Sequence, residues 1–140
     1  MILEYKVEGG DFARAGWASS QVKKVLKQIG VDQSIIKRVV VALYEAEVNI
    51  VAHAYRGVIA VNIDAEKIIL TLTDEGPGIP DIELAMQKGY STASEEVREM
   101  GFGAGMGLPN INTNADTFSI ESELGRGTTL QIAIYLKPQE

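Results

Sequence analysis

A glycine-rich run is the segment of this sequence best suited to hold a charged ligand. Residues 101–109 read GFGAGMGLP, which places four glycines at every second position directly before a segment with the features of a helix start. Glycine lets a ligand approach the backbone closely, and the free amides and dipole of a helix N-terminus attract phosphate. The run lacks the Gly-Lys-Ser/Thr of a Walker loop and does not directly follow a strand, as a dinucleotide fingerprint would. We therefore expect a polyphosphate ligand in a different kind of loop.

A second candidate is an acidic turn at the end of an apolar strand. Asp74 follows the strand-like residues 68–73 and precedes Gly76, Pro77 and Gly78. A carboxylate in this place can accept a hydrogen bond from an exocyclic amine such as that of adenine, and the two glycines leave room for a flat ring. The alternative is an ordinary turn rich in Asp, Gly and Pro.

A third candidate is a polar line on a long helix. Glu45, Asn49 and His53 are spaced four apart, which places them on one helical face beside an apolar stripe. The carbonyl oxygen of Asn49 suits Mg²⁺, and Glu45 can accept a proton from a hydroxyl that attacks a γ-phosphate. The alternative is that both residues lie in solvent at the helix edge, because such spacings are common by chance. Together the three signals predict ATP with Mg²⁺ as the ligand.

Composition limits the class of protein. The chain has 140 residues, of which 46% are hydrophobic, so we expect residues 1–140 to form a single domain with its own core. Its apolar runs fall short of the roughly 18 residues that a membrane span needs, and it has no cysteine for a disulfide or a thiolate metal site. A net charge of −6 without basic clusters argues against nucleic acid as a direct partner. We expect a cytoplasmic protein that does not bind a membrane.

Hydrophobic periodicity predicts the elements that must position these residues. Alternation over residues 1–8 predicts a strand, and two apolar stripes predict helices that begin after Asp11 and Asp32 and end near Gly30 and Ala54. The remaining predicted elements are strands over 58–63 and 68–73, a short helix over 81–88, a polar functional loop over 89–105, a helix running towards Ala115, and a closing hairpin of strands 117–121 and 128–136. This order predicts a two-layer α/β sandwich, in which a mixed sheet is covered on one face by helices.

The order and gaps of these motifs resemble the GHKL, or Bergerat-fold, ATPase superfamily over almost the whole chain. Residues 44–49 (YEAEVN) resemble the N-box of that superfamily, and residues 74–78 (DEGPG) resemble its first glycine box. Residues 101–108 resemble the second glycine box, and residues 125–128 (GRGT) the last box. The resemblance implies the Bergerat ATP-binding fold, with ATP and Mg²⁺ as cofactors.

The same resemblance implies roles for individual residues. Glu45 would be the catalytic general base, Asn49 the magnesium ligand, and Asp74 the acceptor of the adenine amine, with Thr128 in the nucleotide pocket. The glycine-box residues that would bind the nucleotide are Gly76, Gly78, Gly103, Ala104, Gly105, Met106, Gly107 and Leu108.

Within the superfamily, the sequence looks most like the small bacterial serine/threonine kinases of partner-switching modules, because a single domain carries the segment QKGYST at 87–92 before the glycine run. That likeness implies a kinase that phosphorylates a small STAS-domain regulator. Two alternatives stay open. One is an anti-sigma factor or adaptor that binds a partner such as a sigma factor in an ATP-dependent way, and the other is a detached histidine-kinase-like catalytic domain. A homodimer is also compatible with the resemblance.

Overall fold

A computed structural model describes residues 1–79, 82, 86 and 107–136 of the chain. In chain order its elements are β1 (Ile2–Glu8), a 3₁₀ turn (Phe12–Arg14), α1 (Trp17–Gln28), α2 (Gln33–His53), β2 (Arg56–Ile63), β3 (Lys67–Glu75), α3 (Gly107–Asn114), β4 (Thr117–Glu123) and β5 (Gly127–Tyr135). Of the short helix predicted over 81–88, only Ile82 and Met86 are described, and the Met86 amide donates to the Ile82 carbonyl at 3.0 Å. The functional loop predicted over 89–105 lies outside the described residues.

The five strands of the described residues form one sheet in the order β1-β2-β3-β5-β4, with α1, α2 and α3 packed on one face. The predicted two-layer α/β sandwich is confirmed. All four strand pairings are antiparallel, whereas the sequence led us to predict a mixed sheet. The connection between β1 and β2 explains part of this difference. Two consecutive helices return the chain to the end at which it left the sheet, so the next strand runs in the opposite direction.

The hydrophobic core of the described residues lies between α1, α2 and α3 and the inner face of the sheet. Buried and less buried residues alternate along β2 and over most of β3, which is the pattern of strands with one covered face. Helix α2 contributes most to the core among the described helices, and its buried residues are Ile36, Val39, Ala42, Leu43, Ala46, Glu47, Val48, Ile50 and Val51. Across the described part of the chain, no helix combines the length and apolarity needed to cross a bilayer.

The first long helix begins later than the sequence suggests. Asp11 makes no capping hydrogen bond through its side chain, and the residues after it form only the 3₁₀ turn Phe12–Arg14. Helix α1 begins at Trp17, after Gly16 adopts a left-handed conformation with φ of 93°. A Cβ at Gly16 would lie only 3.1 Å from the Tyr44 ring, so glycine suits this break in both conformation and size. The prediction of a helix capped by Asp11 is therefore wrong.

A buried glutamate from α2 caps α1 instead. Glu47 is 2% exposed, and its Oε2 accepts the backbone N–H groups of Gly16 at 3.0 Å and Ala18 at 3.2 Å. Its Oε1 accepts the backbone N–H of Ser19 at 3.0 Å and the Ser19 hydroxyl at 2.7 Å. Amides at a helix N-terminus need acceptors, and the helix dipole favours a negative charge there. These four contacts, called the Glu47 clamp below, fix the start of α1 against α2.

The Glu47 clamp predicts a loss of stability when its charge is removed. Glu47→Gln keeps the side-chain volume but turns an NH₂ group towards backbone donors, so we expect the free energy of unfolding to fall by about 2–3 kcal/mol. Urea denaturation followed by circular dichroism measures this change. Glu121→Gln, which alters an exposed glutamate of β4, is the matched control and should leave the midpoint unchanged. Equal midpoints for E47Q and the wild type would contradict a stabilising role for the clamp.

Candidate functional site

The polar face of α2 meets the start of α3 at one end of the candidate site. Glu45 and Asn49 are both partly buried on α2. Gly107, the first residue of α3, lies so close that a Cβ there would be 3.2 Å from Oδ1 of Asn49 and 3.5 Å from Oε2 of Glu45. The structure therefore brings together three residues that the sequence predicts for the site. The space left by the missing side chain of Gly107 is bordered by a carboxylate and an amide.

The first turn of α3 contributes two further residues to this end. Nδ2 of Asn110 lies 3.5 Å from Oε1 of Glu45, which is a long hydrogen bond. Leu108, a predicted phosphate-cradle residue, is 8% exposed and its side chain packs in the hydrophobic core. Only the backbone of Leu108 is therefore available to a ligand, whereas Asn110 touches the predicted general base directly.

The other end of the site is built where β3 ends. Oδ1 of Asp74 accepts the backbone N–H of Thr128 at 3.0 Å. Burial raises the pKa of Asp74, while the hydrogen bond from Thr128 acts in the opposite direction and lowers it. Thr128 is 9% exposed, and its hydroxyl oxygen lies 2.9 Å from that of Ser122. The fold thus joins two predicted site residues that lie far apart in the sequence.

Glycines allow the loop after β3 to approach the β4–β5 hairpin. Gly127 has a φ of 151°, and a Cβ there would lie 2.0 Å from the carbonyl oxygen of Asp74. Gly76 donates its N–H to a carbonyl of the hairpin at 2.9 Å. A Cβ at Gly78 would lie 2.6 Å from the carbonyl oxygen of Glu123. Gly76 and Gly78, both predicted for the nucleotide pocket, therefore lie against protein backbone and hold this loop in place.

Helix α2 links the two ends of the site. The Cα of Ala54, which follows the last residue of α2, would lie 3.0 Å from a Cβ placed on Gly76. Glu45 lies near Gly107 at the other end, and the rise of an α-helix places Glu45 and Ala54 about 13 Å apart along the axis. The described residues thus outline an elongated site with a carboxylate towards each end, a shape that suits an elongated ligand with chemically different ends.

Part of the predicted phosphate cradle lies outside the described residues. These positions are Gly103, Ala104, Gly105 and Met106, and the segment at 87–92 lies outside as well. The described part of the cradle consists of Gly107 and Leu108.

Sequence reasoning missed three polar residues that support the site, namely Glu47, Asn110 and Ser122. A signal for Ser122 exists in the hairpin register, because extending the predicted hairpin places it opposite Thr128. Asn110 follows the predicted helix start by one turn, which places its side chain near the residues at that start. Glu47 stands out only as a carboxylate within an apolar stripe, since its partners lie at least 28 residues away in the sequence.

The described residues fit a phosphate-bearing ligand accompanied by Mg²⁺. Asn49 offers an amide oxygen beside the helix start, and Mg²⁺ in proteins typically takes few protein oxygen ligands and completes its shell with phosphate oxygens and waters. The start of α3 presents backbone amides of the kind that bind phosphate. At the opposite end, Asp74 accepts one hydrogen bond from the described residues, that of the Thr128 amide, and this leaves carboxylate capacity for an amine of a ligand.

Known proteins resemble this chain in sequence. Residues 11–134 match the family model described as the histidine kinase-like ATPase domain. The serine/threonine-protein kinase RsbT of Bacillus subtilis is 34% identical over 122 residues, covering 82% of this chain and 84% of RsbT. The anti-sigma F factor of Clostridium kluyveri is 31% identical over 139 residues, covering 93% of this chain and 89% of that protein. The anti-sigma F factor of a Thermoanaerobacter species is 38% identical over 100 residues, covering 68% and 66%.

Solved structures share the fold. The RsbU and RsbW domains of Rv1364c from Mycobacterium tuberculosis superpose with a TM-score of 0.63 and 18% identity, over 95% of this chain and 32% of that one. The mycobacterial sensor histidine kinase MprB gives a TM-score of 0.55 with 17% identity, over 95% of this chain and 97% of that one. From the family model and the sequence relatives, the chain belongs to the histidine kinase-like (GHKL) ATPase family, in the branch that contains the serine/threonine-protein kinase RsbT and the anti-sigma F factors.

Proposed function

We propose that this protein is an ATP-dependent serine/threonine kinase of a bacterial partner-switching system, which phosphorylates a small STAS-domain regulator in the cytoplasm. The observation that carries the proposal is the meeting of Glu45 and Asn49 with Gly107 at the start of α3. Two findings support the proposal. The chain belongs to the ATPase family named above, and it shares 34% sequence identity with RsbT, which is named a serine/threonine-protein kinase.

The proposed nucleotide lies along α2, with its adenine near Asp74 and its phosphates near Gly107. Asp74 accepts the adenine amine, and the fixed position of its Oδ1 against Thr128 orients the carboxylate. The amides at the start of α3 hold the phosphates, together with the predicted cradle residues before them. Mg²⁺, when bound, would neutralise phosphate charge, and Asn49 is the residue that would hold it.

Glu45 is the proposed general base for the hydroxyl of the protein substrate. The carboxylate lies beside the helix start that would hold the terminal phosphate, so an incoming hydroxyl at this place meets both the base and the phosphorus. Nδ2 of Asn110 lies 3.5 Å from Oε1 of the same carboxylate and can donate a long hydrogen bond that helps to hold it in place.

A second candidate function is binding without phosphoryl transfer. It is favoured by the relatives named anti-sigma F factor, at 38% and 31% identity. In that case the nucleotide would set the shape of the partner surface, and the partner would leave the complex unmodified. The detached histidine-kinase-like domain is distinguished by its product, because phosphohistidine is labile in acid and phosphoserine is stable.

Glu45→Gln tests the kinase directly. The assay incubates the protein with ATP, Mg²⁺ and the purified STAS-domain proteins encoded in the same genome, and mass spectrometry maps any acid-stable phosphate on them. We expect the wild type to phosphorylate a serine or threonine of one of them and E45Q to do so at least about 100-fold more slowly, because a general base contributes this much or more. Binding of ATP should be unchanged in the variant. Binding of a partner without any phosphate on it would favour the adaptor, and a native rate for E45Q would contradict the role of Glu45.

Asn49→Ala tests the magnesium site separately. We expect ATP affinity to fall in the presence of Mg²⁺ by about tenfold, since one oxygen ligand is lost, and to change little in EDTA. Isothermal titration calorimetry in the two buffers gives both values. Asn62→Ala, on an exposed asparagine of β2, is the control and should match the wild type in both. A loss of affinity that is equal with and without Mg²⁺ would argue against metal binding by Asn49.

Asp74→Asn tests the adenine end through its dependence on pH. Because burial raises the pKa of Asp74, the folded state binds more protons there than the unfolded chain does, and this group lowers stability as pH rises through that range. The variant stays uncharged, so its unfolding free energy relative to the wild type should increase from about pH 3 to pH 6. The D74N variant should also bind ATP more weakly than the wild type does.

Asp64→Asn is the matched control for this pH series. The backbone N–H groups of Glu66 and Lys67 lower the pKa of Asp64, so its variant should show the opposite slope and lose relative stability as pH rises. Urea denaturation between about pH 3 and pH 6 measures both variants. Parallel curves for D74N and the wild type would contradict the assigned burial of this carboxylate.

A further inference from the structure

One hydroxyl group joins three segments beside the proposed adenine end. Ser122 lies on β4 opposite Thr128 on β5. Its Oγ accepts the backbone N–H of Ile79 at 2.7 Å, donates to the carbonyl oxygen of Gly127 at 3.2 Å, and lies 2.9 Å from Oγ1 of Thr128. The loop after β3 and both strands of the closing hairpin therefore meet at Ser122.

These three contacts use the whole hydrogen-bonding capacity of the hydroxyl. A serine hydroxyl has one proton and two lone pairs. Ser122 donates its proton in a hydrogen bond to the carbonyl oxygen of Gly127. Its two lone pairs accept hydrogen bonds from the Ile79 N–H and from the Thr128 hydroxyl, so no further donor or acceptor remains on the group. Ser122 is thus engaged entirely with the protein and acts on a ligand only through the residues that it holds.

The residues that Ser122 holds are those that orient Asp74. The backbone N–H of Thr128 donates to Oδ1 of Asp74 at 3.0 Å, and Gly127 approaches the Asp74 backbone so closely that a Cβ would lie 2.0 Å from its carbonyl oxygen. Ile79 lies in the loop that begins directly after β3. A shift of β5 or of this loop would change where the Asp74 carboxylate points.

We propose that Ser122 is a positioning residue that sets the preference of the pocket for adenine over guanine. The inference rests on the proposed function, in which Asp74 accepts the adenine amine. Adenine carries an amine donor at the position where guanine carries a carbonyl acceptor, so a fixed carboxylate attracts the first and repels the second. The discrimination depends on the orientation of the Asp74 carboxylate. A displaced carboxylate loses the hydrogen bond to the adenine amine and repels the guanine carbonyl less strongly.

Ser122→Ala tests this role by the ratio of two affinities. ATP and GTP compete against a fluorescent ATP analogue in the presence of Mg²⁺, which gives both dissociation constants for each variant. We expect the preference for ATP over GTP to fall by about tenfold in S122A, the effect of one lost or misaligned hydrogen bond. Ser119→Ala is the matched control, since Ser119 is exposed on the opposite face of the same strand, and it should keep the wild-type ratio.

A purely structural role for Ser122 predicts a different result. It would lower the melting temperature of S122A and leave the ratio of ATP to GTP affinity unchanged, and that result would overturn the proposal. Ser122→Thr restores the hydroxyl and should recover most of the preference. If S122A does not fold, Ser122→Cys keeps the volume while weakening the hydrogen bonds, and a preference equal to that of the wild type in S122C would also overturn the proposal.

Asp74→Asn separates failure of this inference from failure of the proposed function. If D74N loses the preference for ATP and S122A keeps it, Asp74 recognises adenine and the positioning role of Ser122 is wrong. If neither the wild type nor D74N distinguishes ATP from GTP, the adenine-binding role of Asp74 fails, and the inference about Ser122 fails with it. A reduced preference in both variants supports both assignments.

Discussion

The position of α2 is the constraint on which both ends of the candidate site depend. Glu45 and Asn49 lie against Gly107 on one side, and Ala54 lies against Gly76 at the other. Because an α-helix has a fixed rise per residue, a shift of α2 would move Glu45 and Ala54 by the same amount and keep the distance between them. The helix is held by nine buried residues, and interiors packed to crystal-like density resist such shifts. The core of this protein therefore acts as the frame of its site.

The two ends of the site are supported by different physical means. At the α3 end, the absence of a side chain on Gly107 determines the shape of the site, because it leaves a space bordered by Asn49 and Glu45. At the β3 end, hydrogen bonds decide it, because Asp74 is tied to Thr128 and Thr128 to Ser122. Burial disfavours the charge on Asp74 while the Thr128 amide favours it, so the carboxylate is held in a partly apolar setting where one hydrogen bond carries more weight than in water.

Much of the fold was predictable because it follows from local patterns. Alternation and apolar stripes gave the sandwich and the order of the described strands and helices, and the closing hairpin lies where predicted. The start of α1 was not predictable, since it depends on Glu47, a residue at least 28 positions away from its partners. To predict an antiparallel sheet, one would have to know that α1 and α2 return the chain to the end of the sheet at which β1 stops. Helical spacing identified Glu45 and Asn49 as candidates, and the position after an apolar strand identified Asp74. The hydrogen bonds of Asn110 and Ser122 were identified only in the three-dimensional structure.

Three of the four contacts in the Glu47 clamp are made to main-chain amides, so they are insensitive to most side-chain changes in the segment that they hold. Trp17 lies within that segment and is 42% exposed. Most substitutions of exposed side chains at this corner of the molecule therefore leave the anchoring of α1 in place, because the clamp holds the main chain. The clamp thus makes the start of α1 tolerant of changes at its surface while its position against α2 is kept.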